Sequence, residues 1–182
     1  MTGKDFKNLR VLAVAPSSRG FGFALFEGRE VLVLFGASEV PGKKNPVLRA
    51  KIEKIISVYK PQMILLPEAT SRGQRIQSLS RDVITSARRK QINIELIPLK
   101  LVKQSFFADG EGTKHQVAEI IAKRFPEQLA GRLPPERMAW MSEDRRMDIF
   151  DAIALMVAVA NILPRSRLKS SFPIIKSQRC SF

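Results

Sequence analysis

Three apolar stretches of this chain stop at a proline: LRVLAVAP at residues 9–16, MILLP at 63–67 and INIELIP at 92–98. Runs this short, rich in valine, isoleucine and leucine and closed by a residue that cannot donate to a ladder, are the signature of buried strands. Around them the order can be read. Leu9 to Ala15 forms a first strand, the turn PSSRG follows, and Phe21 to Phe26 forms a second. Gly28-Arg29 then turns the chain into a third, Glu30 to Phe35. Links this short join antiparallel neighbours, so the three make a meander. Helical spacing follows over Pro46 to Tyr59, Gln74 to Lys90, Thr113 to Phe125 and Met147 to Leu163, with the strands Met63 to Leu66 and Ile92 to Ile97 between them and only one or two helical turns over Leu101 to Phe107. The order β-β-β-α-β-α-β-α-α implies an α/β fold: a mixed five-stranded sheet, meander plus two parallel strands, with helices on both faces. Residues 1–163 form one domain, and 164–182 read as a basic, serine-rich tail with Arg165, Arg167, Lys169 and Lys176.

Charge narrows the partners. Thirty-one Lys and Arg against 17 acids give a formal charge of +14, which favours association with a polyanion by counterion release. No apolar run reaches the roughly 18 residues of a membrane span, and MTGKDFKNLR has no signal-peptide apolar core. A single cysteine, Cys180, forms no internal disulfide. A cytoplasmic, membrane-free, nucleic-acid-binding protein is expected.

Three acids stand where a sequence rarely places charge. Glu68 follows the buried strand MILLP, and Asp148 and Asp151 open the most apolar helix, MDIFDAIALMVAVANIL. A spacing of three puts both carboxylates on one helix face. Converging carboxylates repel and are costly to desolvate. Bound Mg²⁺ or Mn²⁺ relieves both penalties, and two such ions can stabilise the attacking and leaving oxygens of a phosphodiester. The plainer readings are a strand-end cap or an Arg72 or Arg75 pair for Glu68, and a helix-start charge for Asp148. Asp151, set among Ile149, Phe150, Ala152 and Ile153, has no comparable explanation. Glu143 and Asp144 read as loop or cap acids, at most supporting the metal ligands.

Taken together, these segments resemble the RuvC family of Holliday-junction resolvases, within the RNase H-like superfamily, from about Leu9 to Ala160. VLAVAPSSRGFGFAL has the shape of that family's first strand, turn and glycine-rich second strand; ILLPEA supplies its second acid as Glu68; VKQSFFADGEGTKHQVAEIIAKRF looks like its lysine-bearing loop and helix; and DIFDAIALMVAV matches its closing pair of acids. The resemblance implies an RNase H-like fold and a homodimeric, structure-selective endodeoxyribonuclease that acts on branched DNA such as four-way junctions. It implies two Mg²⁺ or Mn²⁺ ions per site, with Glu68, Asp148 and Asp151 as ligands. One departure is decisive: the family's first-strand aspartate is Ala15 here. A methyl group cannot ligate a metal, so cleavage by this chain is expected to be impaired or lost. Either the alanine was introduced, which the three retained acids favour, or the lineage shed activity and kept binding. LPPERMAWMSEDRRMDIF, at 133–150, lies outside the family's usual pattern and marks a separate branch.

Arg19, Arg72, Arg75, Arg81, Lys103 and Lys114 are the expected DNA-backbone contacts, with Arg88 and Arg89 on the same helix as Arg81. Phe106 and Phe107 read as packing, His115 as a surface helix residue, and Trp140 and Cys180 carry no functional case. The competing functions are a non-catalytic nucleic-acid-binding protein on a degraded nuclease fold, and an RNase H-like nuclease of a mobile-element or defence system.

Overall fold

The computed structural model describes residues 9–40, 45–68, 73–138 and 140–162. The strands are β1 (Arg10–Pro16), β2 (Gly20–Glu27), β3 (Val31–Glu39), β4 (Met63–Pro67) and β5 (Asn93–Ile97). They form one sheet in the order β3-β2-β1-β4-β5. The β1–β2 and β2–β3 pairs are antiparallel, whereas β1–β4 and β4–β5 are parallel. The expected meander plus two parallel strands is the observed sheet. The helices are α1 (Asn45–Tyr59), α2 (Gln74–Arg89), α3 (Leu99–Phe106), α4 (Lys114–Arg124), α5 (Pro126–Leu129) and α6 (Met147–Ile162). A 3-10 turn at Ala130–Arg132 extends α5.

Period-two alternation in β1 sends successive side chains to opposite faces. Leu12 and Val14 join Phe21, Leu25 and the inner faces of α1 and α2, which supply Leu48, Ile52, Ile56, Leu79 and Val83. Val11, Ala13 and Ala15 face the other way, into a core shared with α4 and α6. Alternation alone therefore puts Ala15 on the α6 side. Helix α6 is buried over most of its circumference, with Ile149, Phe150, Ile153, Leu155, Met156 and Val157 all nearly inaccessible. It packs on β1, β2, α3 and α4, and a helix apolar nearly all round belongs at such a centre.

Small residues on the sheet let α6 come close. Ala15 pairs with Gly22 across the β1–β2 ladder. A Cβ on Gly22 would stand 1.8 Å from the Asp148 carbonyl oxygen. The first turn of α6 is thus pressed onto the C-terminal end of β1. β3 runs further than its sequence pattern predicts, to Glu39, because β2 offers partners as far as Gly20↔Glu39. Helix α4 begins at a capping box: the Thr113 side chain accepts from the Gln116 N–H, and the Gln116 side chain accepts from the Thr113 N–H. That cap fixes Lys114 as the first helical residue. The 164–182 tail and Arg72 lie outside the described residues.

Candidate active site and nucleic-acid interface

The parallel register Ala13↔Leu65 brings the C-terminal ends of β1 and β4 out at the same end of the sheet. Ala15 lies at that end of β1, and Glu68 follows β4 with its N–H bonded to the Ile97 carbonyl at 2.9 Å. The turn after β1 is closed by Ser17 and Gly20, whose backbone groups bond at 2.8 Å. Gly20 N–H also donates to Ser17 Oγ at 3.1 Å. The same hydroxyl donates to Asp148 Oδ2 at 2.8 Å.

Asp148 is 3% exposed. Burial pushes its carboxyl up to about 6; the Ser17 hydrogen bond works against the shift, and the like charges of Asp151 and Glu143 add to it. One turn along α6, Asp151 is only half-buried and faces a cation. Lys114 Nζ lies 2.9 Å from Asp151 Oδ2 and 2.9 Å from Glu143 Oε1. Burial acts to lower the Lys114 ammonium, but the two acids outweigh it and hold it above its ordinary value. Asp144 caps the start of α6, its carbonyl accepting from Met147 N–H at 3.0 Å. Its carboxylate takes a forked pair of bonds from Arg146, at 3.0 and 2.7 Å. Those bonds hold it below the usual carboxylate range.

Asp148, Asp151, Glu143 and Lys114 thus come together, and Ala15 lies on the sheet face that the start of α6 covers. Glu68 is exposed, and among the described residues no hydrogen bond or ion pair ties its carboxylate to the other acids. Nor do three His, Cys, Asp or Glu side chains converge, among those residues, in a way that could hold a metal ion. As arranged, the donors do not fit a two-ion centre. A methyl group stands at position 15, Asp148 is bonded to a serine, and one ammonium is shared between Asp151 and Glu143.

The expected DNA contacts divide. Arg19 pairs with Glu39 at 3.3 Å and donates to the Glu143 carbonyl, which puts it beside the acids. Arg75 donates to the carbonyls of Ser18 at 2.9 Å, Val40 at 2.8 Å and Arg19 at 3.4 Å. Its guanidinium therefore braces the β1–β2 turn against the end of β3. Arg81 on α2 and Lys103 on α3 are exposed. His115 is half-buried, with Nε2 3.0 Å from the Pro134 carbonyl oxygen. Sequence reasoning missed Ser17, whose hydroxyl reaches across 131 positions to Asp148, and it undervalued Glu143.

No protein-family model matches the chain, and no curated protein matches it by sequence. Solved structures do match. RuvC of Thermus thermophilus superposes with a TM-score of 0.60 at 13% identity, covering 82% of this chain and 92% of that one. The T. thermophilus RuvC complex with Holliday junction substrate gives 0.63 at 13% identity, covering 84% and 93%. The fold is RuvC-like. The fowlpox virus Holliday junction resolvase shares it, with a TM-score of 0.55 at 10% identity, covering 85% of this chain and 100% of that one. Among the described residues no helix is long and apolar enough to cross a membrane.

Proposed function

We propose that this chain binds branched DNA through a RuvC-like scaffold and cleaves it poorly or not at all, because its first carboxylate position is Ala15. One observation carries the reading: the acids beyond the ends of β1 and β4 already have partners within the protein. Lys114 bridges Glu143 and Asp151, and Ser17 bonds the buried Asp148, so part of their mutual repulsion is offset without an ion, although Asp148 still feels both like charges. Binding follows from the charge of +14. In a homodimer, two copies of the site would face opposed strands of a junction.

The test pairs binding with cleavage. The chain should bind a four-way junction in preference to linear duplex and leave it intact in Mg²⁺ or Mn²⁺. Ala15→Asp adds an oxygen donor on the face where α6 begins, and it should confer metal-dependent nicking of the same junction. A variant that binds junctions but never nicks them would sink the view that this is a disabled endodeoxyribonuclease and leave a dedicated binding protein. Cleavage by the unaltered chain would overturn the impairment instead.

A further inference from the structure

The segment between α5 and α6 carries an arrangement that the acids do not explain. Trp140 is the only tryptophan and is 83% exposed, and Met138 and Met141 beside it are exposed as well. The segment is nevertheless tied down. Leu133 packs against the α6 core, the Pro134 carbonyl meets His115, and Arg146 locks Asp144. Beside Trp140, Met141 N–H donates to the Met138 carbonyl at 3.0 Å. Arg137 Nε donates to the Met141 carbonyl. These contacts flank a large ring held in water, where burying it would release about 1.5–3 kcal/mol or more.

Beside this loop runs an open cleft of about 600 Å³, whose walls include Arg19, Arg137, Arg145, Arg146, Met141 and Glu143. Its acids are already paired: Glu39 with Arg19, Glu143 with Lys114 and Asp144 with Arg146. Among the described residues neither Arg137 nor Arg145 is in an ion pair, so the cleft presents uncompensated positive charge.

We propose that this cleft and loop take up an unpaired nucleotide of a DNA strand, with the Trp140 indole stacked on the base and Arg137 and Arg145 on the flanking phosphates. The reading rests on the DNA binding proposed above and names the part of the DNA that this surface takes. Guanidinium forks match phosphate oxygens. A flat, exposed ring needs an open base face, which a strand offers where its bases are unstacked and a continuous duplex does not. Glu143 is common to the cleft and to the acidic cluster, so a strand held there would run past Asp151 and Lys114.

The experiment uses the full chain and two signals. Anisotropy of labelled oligo(dT), oligo(U) and blunt duplex reports binding, and emission of the single tryptophan reports stacking. Oligo(dT) should quench the emission. Trp140→Ala should weaken oligo(dT) about tenfold while changing blunt duplex less than about twofold, and Trp140→Phe should keep most of the affinity. Arg137→Gln should weaken oligo(dT) and flatten its salt dependence by about one phosphate contact. Because Trp140 is so exposed, its variants should melt as the parent does. Binding of oligo(dT) with no change in emission overturns the proposal, as does an equal loss on duplex. Tighter binding of oligo(U), or an emission change that follows protein concentration without DNA, overturns it too. If no DNA binds in any arm, the underlying DNA-binding reading falls first, and anisotropy alone shows that.

Discussion

Asp148 and Asp151 sit one turn apart on the same helix, yet they occupy different physical worlds. Asp148 is sealed under the end of the sheet, bonded to Ser17, and its carboxyl is pushed up to about 6. Asp151 looks out toward Lys114 and Glu143, where solvent and a half-exposed ammonium share its charge. The buried half of the site is set by packing: Ala15, Gly22 and the α6 backbone leave no slack. The outer half is set by charge, through long side chains that can rearrange. A change at the buried half should therefore appear as stability, whereas one at the outer half should appear as ionic-strength dependence.

The largest test strikes the packing. Gly22→Ala places a methyl 1.8 Å from the Asp148 carbonyl oxygen, which belongs to backbone and cannot swing aside. Lifting the start of α6 should cost about 3 kcal/mol, the upper end of ordinary overpacking. Urea unfolding would report it, and a loss under about 1 kcal/mol would show that α6 is not pressed onto β2.

The next test titrates the buried acid. The folded pKa of Asp148, about 6, lies above the unfolded value of about 3.9, so the folded state holds the extra proton between them. Its contribution to stability is present in full below pH about 4 and is lost as pH rises through about 6. The difference amounts to about 2–3 kcal/mol. With chelator present, unfolding free energies measured from pH 4 to 8 should fall by that amount, and Asp148→Asn should flatten the fall. An Asn variant with the same slope would assign the titration to another group.

The inner half of this contrast was more legible in the sequence than the outer half. Proline-closed apolar runs locate β1, β4 and β5, and the family resemblance groups Ala15 with Asp148 and Asp151. The apolar runs are local signals. The extra length of β3 is not local: GASE at 36–39 lacks an apolar strand pattern, and β2 supplies its partners. Short α5 has no periodicity to detect, only Pro126 at its first turn. Arg75 looks like its neighbours on a basic helix, but three backbone carbonyls claim it, and carbonyl positions are not written in residue type. The same holds for Lys114. Its resemblance to a family lysine suggested a DNA-backbone contact, and residue type gave no sign of the ion pairs with Asp151 and Glu143 that the packing of α4 against α6 makes.

The smallest effect belongs to that lysine. The Lys114 side chain is 52% exposed, with Glu143 and Asp151 at 36% and 32%, so solvent screens the pairs and their worth is discounted toward that of surface ion pairs. Lys114→Met keeps the aliphatic stem and removes the charge. It should cost about 0.5–1 kcal/mol at low salt, and the difference from the parent should shrink as salt approaches about 1 M. Asp148 should feel the change at a distance. With the ammonium gone, its like-charged neighbours are less compensated, so its carboxyl should titrate higher and the pH-dependent loss of stability should extend upward. A cost that persists at high salt, with the pH profile unmoved, would mean that Lys114 acts through packing. The outer half of the site would then be built like the inner one.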